Sequence, residues 1–119
     1  MTEIKDYITN DFKGINSEET IAEVHDFFHE LPFSHFPVLE ENVYIGCITL
    51  DDIETFEKDK KVSDYKYTLE VFFARNSMIW LDVLEVFAKN HTTIVPVLDE
   101  SNSYLGYYEL EDIIKFFHE

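Results

Sequence analysis

The chain contains two copies of one sequence pattern, set 58 to 60 residues apart. The run Phe-Pro-Val-Leu-Glu at 36–40 returns as Val-Pro-Val-Leu-Asp at 95–99, and Tyr-Ile-Gly at 44–46 returns as Tyr-Leu-Gly at 104–106. Self-similarity at a fixed offset is typical of a structural unit that occurs twice. We therefore divide the chain into a first repeat, residues 1–59, and a second repeat, residues 60–119, with a short charged linker between them.

Each repeat has the pattern of a strand, a helix, two strands and a second helix. In the first repeat, apolar side chains recur at helical spacing after a helix start at Ser17, namely at Ile21, Val24, Phe28 and Leu31. The predicted elements of this repeat are strand 11–15, the helix that starts at residue 17, strands 36–40 and 43–48, and helix 50–56. Those of the second repeat are strand 69–74, helix 79–90, strands 94–98 and 104–108, and helix 110–117.

This element order defines the expected fold. A strand, a crossover helix and a second strand, followed by a hairpin, give a mixed sheet with helices on one face. The other face of each sheet is too apolar to remain in water, and the second copy can cover it. We therefore predict a mixed α/β (α+β) fold, in which two β-α-β-β-α repeats pack through their sheets with pseudo-twofold symmetry.

The charge of the chain limits its partners. It has 25 acidic residues against 9 basic ones, a formal net charge of −16. Nucleic acids and anionic lipid surfaces are bound mainly through lysine and arginine, so we expect neither nucleic acid nor membrane as a partner. The sequence lacks an apolar run long enough to span a bilayer and a signal-peptide pattern, and we expect the protein to be cytoplasmic.

The sequence offers little for catalysis. It has no glycine-rich phosphate loop and no nucleophile–histidine pair at a recognisable spacing, so we predict no enzyme activity, no catalytic residues and no required cofactor. The single cysteine, Cys47, lies between apolar neighbours, which indicates a buried and unreactive thiol. His25 and His29 have a spacing that can hold a metal, but the sequence places no third ligand. We interpret them as surface or interface histidines and assign no metal site.

Two short motifs are each present in both repeats. The first repeat has an apolar-Pro-Val strand start at 36–38 and the segment Gly-apolar-apolar-Thr-x-x-Asp at 46–52. The second has Val-Pro-Val at 95–97 and a similar segment at 106–112, with Glu109 in place of Thr or Ser. These motifs resemble those of the cystathionine β-synthase (CBS) domain family. The resemblance covers nearly the whole chain and implies a tandem CBS pair, also called a Bateman module.

For the first repeat, the resemblance implies a cleft that holds an adenosine nucleotide or adenosyl compound. We name this cleft site one and expect Asp52 to accept the ribose hydroxyls, Thr49 to meet a phosphate, and apolar side chains to form walls for adenine. The same Thr and Asp also make an ordinary helix cap in proteins that bind nothing, so both interpretations stand. The expected residues of site one are Ile15, Phe36, Pro37, Gly46, Thr49 and Asp52.

The corresponding cleft of the second repeat, site two, is a doubtful binding site. Glu109 places a carboxylate where a phosphate is expected, and like charges repel. We expect Arg75 to form an ion pair with Glu109 that fills the empty site, with a contact from Arg75 to a ligand as the alternative. The residues of site two are Arg75, Val95, Pro96, Gly106, Glu109 and Asp112.

The second repeat's helix has more apolar residues, over 79–88, than one buried stripe needs, which indicates a homodimer. Two hypotheses follow. In the first, the protein is a regulatory module that senses AMP, adenosine, S-adenosylmethionine or a Mg²⁺-bound adenine nucleotide and signals through its dimer arrangement to an unknown effector protein. In the second, it is a ligand-free interaction and dimerisation module with vestigial sites.

Overall fold

The computed structural model describes residues 2–118. It contains six strands and four α-helices in this part of the chain, and the element order of each repeat is the expected β-α-β-β-α. The first repeat comprises β1 (Ile15–Asn16), α1 (Ile21–Glu30), β2 (His35–Glu40), β3 (Val43–Thr49) and α2 (Leu50–Thr55). The second comprises β4 (Ala74–Arg75), α3 (Trp80–Asn90), β5 (Ile94–Leu98), β6 (Tyr104–Glu109) and α4 (Leu110–Phe117). A short 3-10 helix precedes each repeat, at Ile4–Tyr7 and at Val62–Thr68.

Each repeat forms one three-stranded sheet, in the orders β1-β2-β3 and β4-β5-β6. The first two strands of each sheet are parallel and the last two are antiparallel. The antiparallel pair of the first repeat is closed by Glu41 and Asn42, which both have positive φ angles, of 50° and 69°. Two such residues make the tight turn that matches the twist of a hairpin. The predicted mixed α/β fold class is confirmed.

The first strand of each repeat is shorter than predicted and begins later. In the first repeat, Gly14 has a φ of +95°, which breaks the extended backbone, and β1 starts only at Ile15. In the second, the predicted strand 69–74 is divided: Glu70 pairs with Cys47, whereas Ala74 pairs with Val97. The pairing of these segments depends on strands distant in the chain, which the local sequence does not specify.

The chain folds into two compact units that exchange segments between the repeats. One unit comprises residues 14–71, and the other comprises residues up to 13 together with those from 72 onward. The segment before β1 thus packs with the second repeat, and Thr9 and Tyr107 exchange main-chain hydrogen bonds of 3.0 and 2.8 Å. The predicted repeat boundaries describe the sequence pattern and stay a prediction.

Gly46 and Gly106 make room for these exchanged segments. A Cβ at Gly46 would lie 2.8 Å from the Leu69 Cβ, and one at Gly106 would lie 2.2 Å from the Thr9 carbonyl oxygen. Both glycines also have φ angles, +142° and +133°, that side chains rarely adopt. The glycine shared by the two motifs is therefore needed for close backbone approach.

Each unit has its own apolar core. Of the predicted stripe on α1, Ile21 and Val24 are fully buried, and Phe28 is half-buried. Cys47 is also fully buried, and burial raises the pKa of its thiol to about 12, which agrees with the predicted unreactive cysteine. None of the helices among residues 2–118 has both the length and the apolar character needed to cross a lipid bilayer.

Candidate functional site

The strand-to-helix corner of the first repeat carries the polar part of site one. Thr49 is the residue before α2, and its hydroxyl accepts a hydrogen bond of 3.2 Å from the Asp52 amide. In return, Asp52 Oδ2 accepts a bond of 3.0 Å from the Thr49 amide. This reciprocal capping box stabilises the start of a short helix. It engages one of the two carboxylate oxygens of Asp52, and both side chains are half-exposed.

The apolar residues of site one lie deeper. Ile15 and Phe36 are fully buried, and Pro37 and Gly46 are buried as well. Solvent therefore reaches this group of residues at Thr49 and Asp52.

Phe36 belongs to an aromatic cluster. Its ring centroid lies 4.2 Å from that of Phe28, 5.7 Å from that of Phe33 and 6.5 Å from that of Phe27. Successive residues of a strand face opposite sides of a sheet, so Phe36 and Pro37 point in different directions. Phe36 thus supports β2 from the core, and Pro37, opposite Cys47 in the sheet, lies on the other side.

His35 is a residue near site one that the sequence analysis missed. It lies opposite Thr49 in the β2–β3 register and is 6% exposed. Its Nδ1 lies 2.8 Å from the Ser34 hydroxyl, and its Nε2 lies 3.3 Å from Glu70 Oε1. A carboxylate only accepts, so Nε2 carries a proton and donates to Glu70. The sequence feature that could have identified His35 is a polar residue two positions before Pro37 in the strand.

Site two lacks the cap that site one has. Glu109 precedes α4 but makes no side-chain cap hydrogen bond. Its pKa is raised, first by burial and then by the nearby carboxylates of Asp112, Glu111 and Asp11. This surrounding negative charge agrees with the argument that a phosphate is disfavoured there.

The expected ion pair between Arg75 and Glu109 is wrong. Arg75 Nη1 instead donates to the Asp99 carbonyl and to Asn102 Oδ1, each at 2.6 Å. Its guanidinium also lies 4.9 Å from the centre of the Phe73 ring. Arg75 pairs with Leu98 at the end of β5, so its side chain reaches the hairpin loop that follows that strand. The arginine fixes the loop between β5 and β6 and does not neutralise Glu109.

The remaining residues of site two are largely internal. Val95 is fully buried, Pro96 is buried, and Gly106 lies against the backbone of Thr9. Tyr108, opposite Val95, is also fully buried, and its hydroxyl has no hydrogen-bond partner among the described residues. Burial raises the pKa of Tyr108 to about 12. The structure thus places a neutral, unsatisfied hydroxyl in the core of the second repeat.

Two further surface features lie in the unit that contains the second repeat. A cavity of about 400 Å³ is lined by residues of the first 3-10 helix and of the segment leading into α3, including Ile4, Met78 and Trp80. Beside it, helices α3 and α4 are in contact through Trp80 and Phe117, whose ring centroids lie 4.9 Å apart. Four apolar side chains around this contact are exposed: Ile79, Leu81, Ile114 and Phe117. We call these four residues together with Trp80 the α3–α4 face; Ile79 is the residue directly before α3.

The fold and the paired strand-to-helix corners define a tandem α/β repeat module. The family model of the CBS domain matches residues 4–57 and again residues 62–119. The chain therefore belongs to the CBS domain family and carries two copies of the domain.

Comparison with curated proteins supports this assignment. Inosine-5'-monophosphate dehydrogenase of Methanocaldococcus jannaschii is 31% identical over 114 residues, which are 94% of this chain and 22% of that protein. The chain thus spans about a fifth of the enzyme, and the match is to its CBS part.

Solved structures show the same fold. A CBS domain pair/ACT domain protein of Thermotoga maritima has a TM-score of 0.85 at 21% identity, over 98% of this chain and 97% of that one. CBSX2 has a TM-score of 0.77 at 14% identity, over 99% and 97% of the two chains. The CBS domain of a bacterial CNNM/CorC family Mg²⁺ transporter has a TM-score of 0.74 at 22% identity, over 96% and 85%.

Proposed function

We propose that this CBS pair is a regulatory module that binds an adenosyl ligand at site one and signals through the arrangement of a homodimer. The observation that carries the proposal is the difference between the two corners. The Thr49–Asp52 capping box is complete, whereas Glu109 forms no cap and adds negative charge. One repeat thus keeps both polar groups that a ribose and a phosphate need.

The groups at site one retain hydrogen-bonding capacity for a ligand. The Thr49 hydroxyl accepts from Asp52 but still has a proton to donate to a phosphate oxygen. The Asp52 carboxylate uses Oδ2 in the cap, and Oδ1 is the acceptor we assign to the ribose hydroxyls. The cap and the ligand contacts therefore use different atoms, and one motif can serve both purposes.

The charge of the unit that contains site one favours a ligand with few negative charges. This unit, residues 14–71, has four lysines, Lys58, Lys60, Lys61 and Lys66, against 14 acidic residues. CBSX2 was solved in complex with AMP, and the CNNM/CorC domain in complex with ATP. The fold therefore accommodates either nucleotide. In this chain, the excess of acidic residues favours AMP over free ATP, which carries more negative charge. AMP, adenosine, S-adenosylmethionine or a Mg²⁺-bound nucleotide should bind more tightly than free ATP.

The α3–α4 face supports the proposed homodimer. Ile79, Leu81 and Phe117 are 60%, 54% and 57% exposed, and they lie on adjacent helices. Large exposed apolar side chains favour a surface that a partner covers. Light scattering should give the mass of a dimer, and Leu81→Glu should give a monomer. A monomeric wild type at all accessible concentrations would remove the proposed signalling route.

The dimer would pass its signal to a separate effector protein. Nucleic acid and membrane remain unexpected partners, because the chain has a formal net charge of −16 and both surfaces attract basic residues.

A thermal-shift panel tests the ligand. The wild type is heated with AMP, ADP, free ATP, Mg²⁺-ATP, NAD, adenosine and S-adenosylmethionine in turn. A ligand at 100 times its dissociation constant adds roughly 2.7 kcal/mol, which raises the melting temperature by several degrees in a domain of this size. Asp52→Ala should abolish the shift and Asp112→Ala should retain it. A shift that persists in Asp52→Ala would place the ligand elsewhere.

The second candidate is a ligand-free interaction and dimerisation module. The burial of the apolar residues at both sites and the charge at Glu109 favour it. The same panel distinguishes the two functions: a dimer whose melting temperature no adenosyl compound changes is an interaction module.

A further inference from the structure

His25 and His29 form a pair on α1 that takes no part in site one or site two. The two residues are one helical turn apart, and their rings are 4.5 Å apart between centroids. Their Nε2 atoms face each other at 3.3 Å. The spacing of the two residues was visible in the sequence, and the structure adds that the Nε2 atoms of the two rings lie close together.

The distance between these nitrogen atoms matches that of two ligands on one metal ion. Two nitrogens bonded to a tetrahedral Zn²⁺ at about 2.0–2.1 Å lie roughly 3.3 Å apart. A direct hydrogen bond from one ring nitrogen to another is usually shorter, near about 3.0 Å. With the nitrogens 3.3 Å apart and the ring centroids 4.5 Å apart, a small rotation of the two rings would direct both Nε2 lone pairs at one ion.

The surroundings of the pair favour a cation. Helix α1 contains Glu23, Asp26 and Glu30 and has no lysine or arginine. His29 lies in the last turn of the helix, where the backbone carbonyls carry partial negative charge. His29 is exposed and His25 is half-exposed, so water can reach the remaining coordination positions.

We propose that His25 and His29 bind a late first-row divalent metal ion of the Zn²⁺, Ni²⁺ or Cu²⁺ class through their two Nε2 atoms. Imidazole nitrogen suits these ions and not Mg²⁺ or Ca²⁺, which take oxygen ligands. No group of three or more His, Cys, Asp or Glu able to hold a metal occurs among residues 2–118. Water therefore completes the coordination, which makes this an open site with modest affinity.

Titration calorimetry of ZnCl₂ into the metal-free full chain tests the site. We expect one saturable Zn²⁺ per chain in the wild type and affinity reduced by roughly tenfold or more in both His25→Ala and His29→Ala. His91→Ala and His118→Ala are matched controls because these histidines are also exposed, and they should bind like the wild type. Melting of the metal-free variants shows that the fold is intact.

Three results would overturn the proposal. The first is an absence of saturable Zn²⁺ binding, and the second is equal affinity in the wild type and both α1 variants, which would indicate binding to the acidic surface. The third is competition by Mg²⁺ at concentrations comparable to those of Zn²⁺, since that would identify oxygen donors.

Discussion

Cys47 and Glu70 exchange two main-chain hydrogen bonds, with N–O distances of 2.7 and 3.0 Å. They join β3 of the first repeat to the segment that leads into the second repeat. Thr9 and Tyr107 form the corresponding pair in the other unit. In both places the segment lies against a motif glycine, so the exchange depends on the absence of a side chain there.

Adding a methyl group at these glycines should destabilise the protein. Gly46→Ala and Gly106→Ala combine a strained φ with a steric clash, against the Leu69 Cβ and the Thr9 carbonyl oxygen respectively, and each should lower the free energy of unfolding by about 2 kcal/mol or more. Gly14→Ala is the matched control, because it has a positive φ but its nearest contact is 3.3 Å. Urea denaturation measures all three. Equal losses would mean that strain alone matters and that the close approach does not.

The missing cap of the second repeat can be supplied by one substitution. Glu109→Thr places a threonine three residues before Asp112, as Thr49 stands before Asp52. We expect it to exceed Glu109→Ala in unfolding free energy by about 1 kcal/mol, the usual contribution of an N-cap side chain. Thr49→Ala should lose a similar amount. If Glu109→Thr and Glu109→Ala are equally stable, the corner of the second repeat does not admit a capping box.

Glu109 should also make stability depend on pH. Its pKa is raised above the ordinary value of 4.5 in the folded protein, chiefly by burial, so the folded state binds a proton that the unfolded state has already released. Unfolding free energy therefore falls as pH rises from about 4.5 through the raised pKa. Glu109→Gln should become more stable than the wild type over that interval, with Glu85→Gln, at an exposed residue of α3 that does not contribute to the raised Glu109 pKa, as the control for net charge. A stability gain from Glu109→Gln that is as large at about pH 4 as at about pH 7 would contradict this account.

Tyr108→Phe should leave the protein as stable as the wild type or raise its unfolding free energy by about 1 kcal/mol. The Tyr108 hydroxyl is buried without a described partner, and removing an unsatisfied polar group removes its desolvation cost. Tyr65→Phe is the comparison, because the Tyr65 hydroxyl accepts a hydrogen bond from the Glu57 amide. A clear loss of stability in Tyr108→Phe would reveal a bond to an internal water molecule.

The sequence predicted the fold well because the repeat places the same turn residues and apolar periods twice. Strand β5 and helix α4 have the predicted bounds, and the other long elements differ by few residues. The divided strand at 69–74 and the exchanged segments were missed, since pairing of Glu70 with Cys47 depends on residues distant in sequence. Arg75 was assigned the wrong partner for the same reason. Its parallel register with Leu98 directs it to the loop after β5, and opposite charge alone could not show this.

The candidate site was predictable only in its polar part. The Thr-x-x-Asp spacing gives the capping geometry directly, because residues three apart meet at a helix start. The positions of Phe36 and His35 follow from strand register and packing, which fix the face of the sheet that each side chain occupies.

Calorimetric titration of AMP tests the central claim most directly. Asp52→Asn keeps an oxygen for the cap with Thr49 but removes the charge and one acceptor, and Asp51→Asn is the matched control, an exposed neighbour with the same change in charge. We predict that the wild type and Asp51→Asn bind AMP alike and more tightly than free ATP, and that Asp52→Asn binds roughly tenfold or more weakly. Equal binding of AMP by Asp52→Asn and the wild type, or failure of AMP, adenosine and S-adenosylmethionine all to bind, would contradict the assignment of site one.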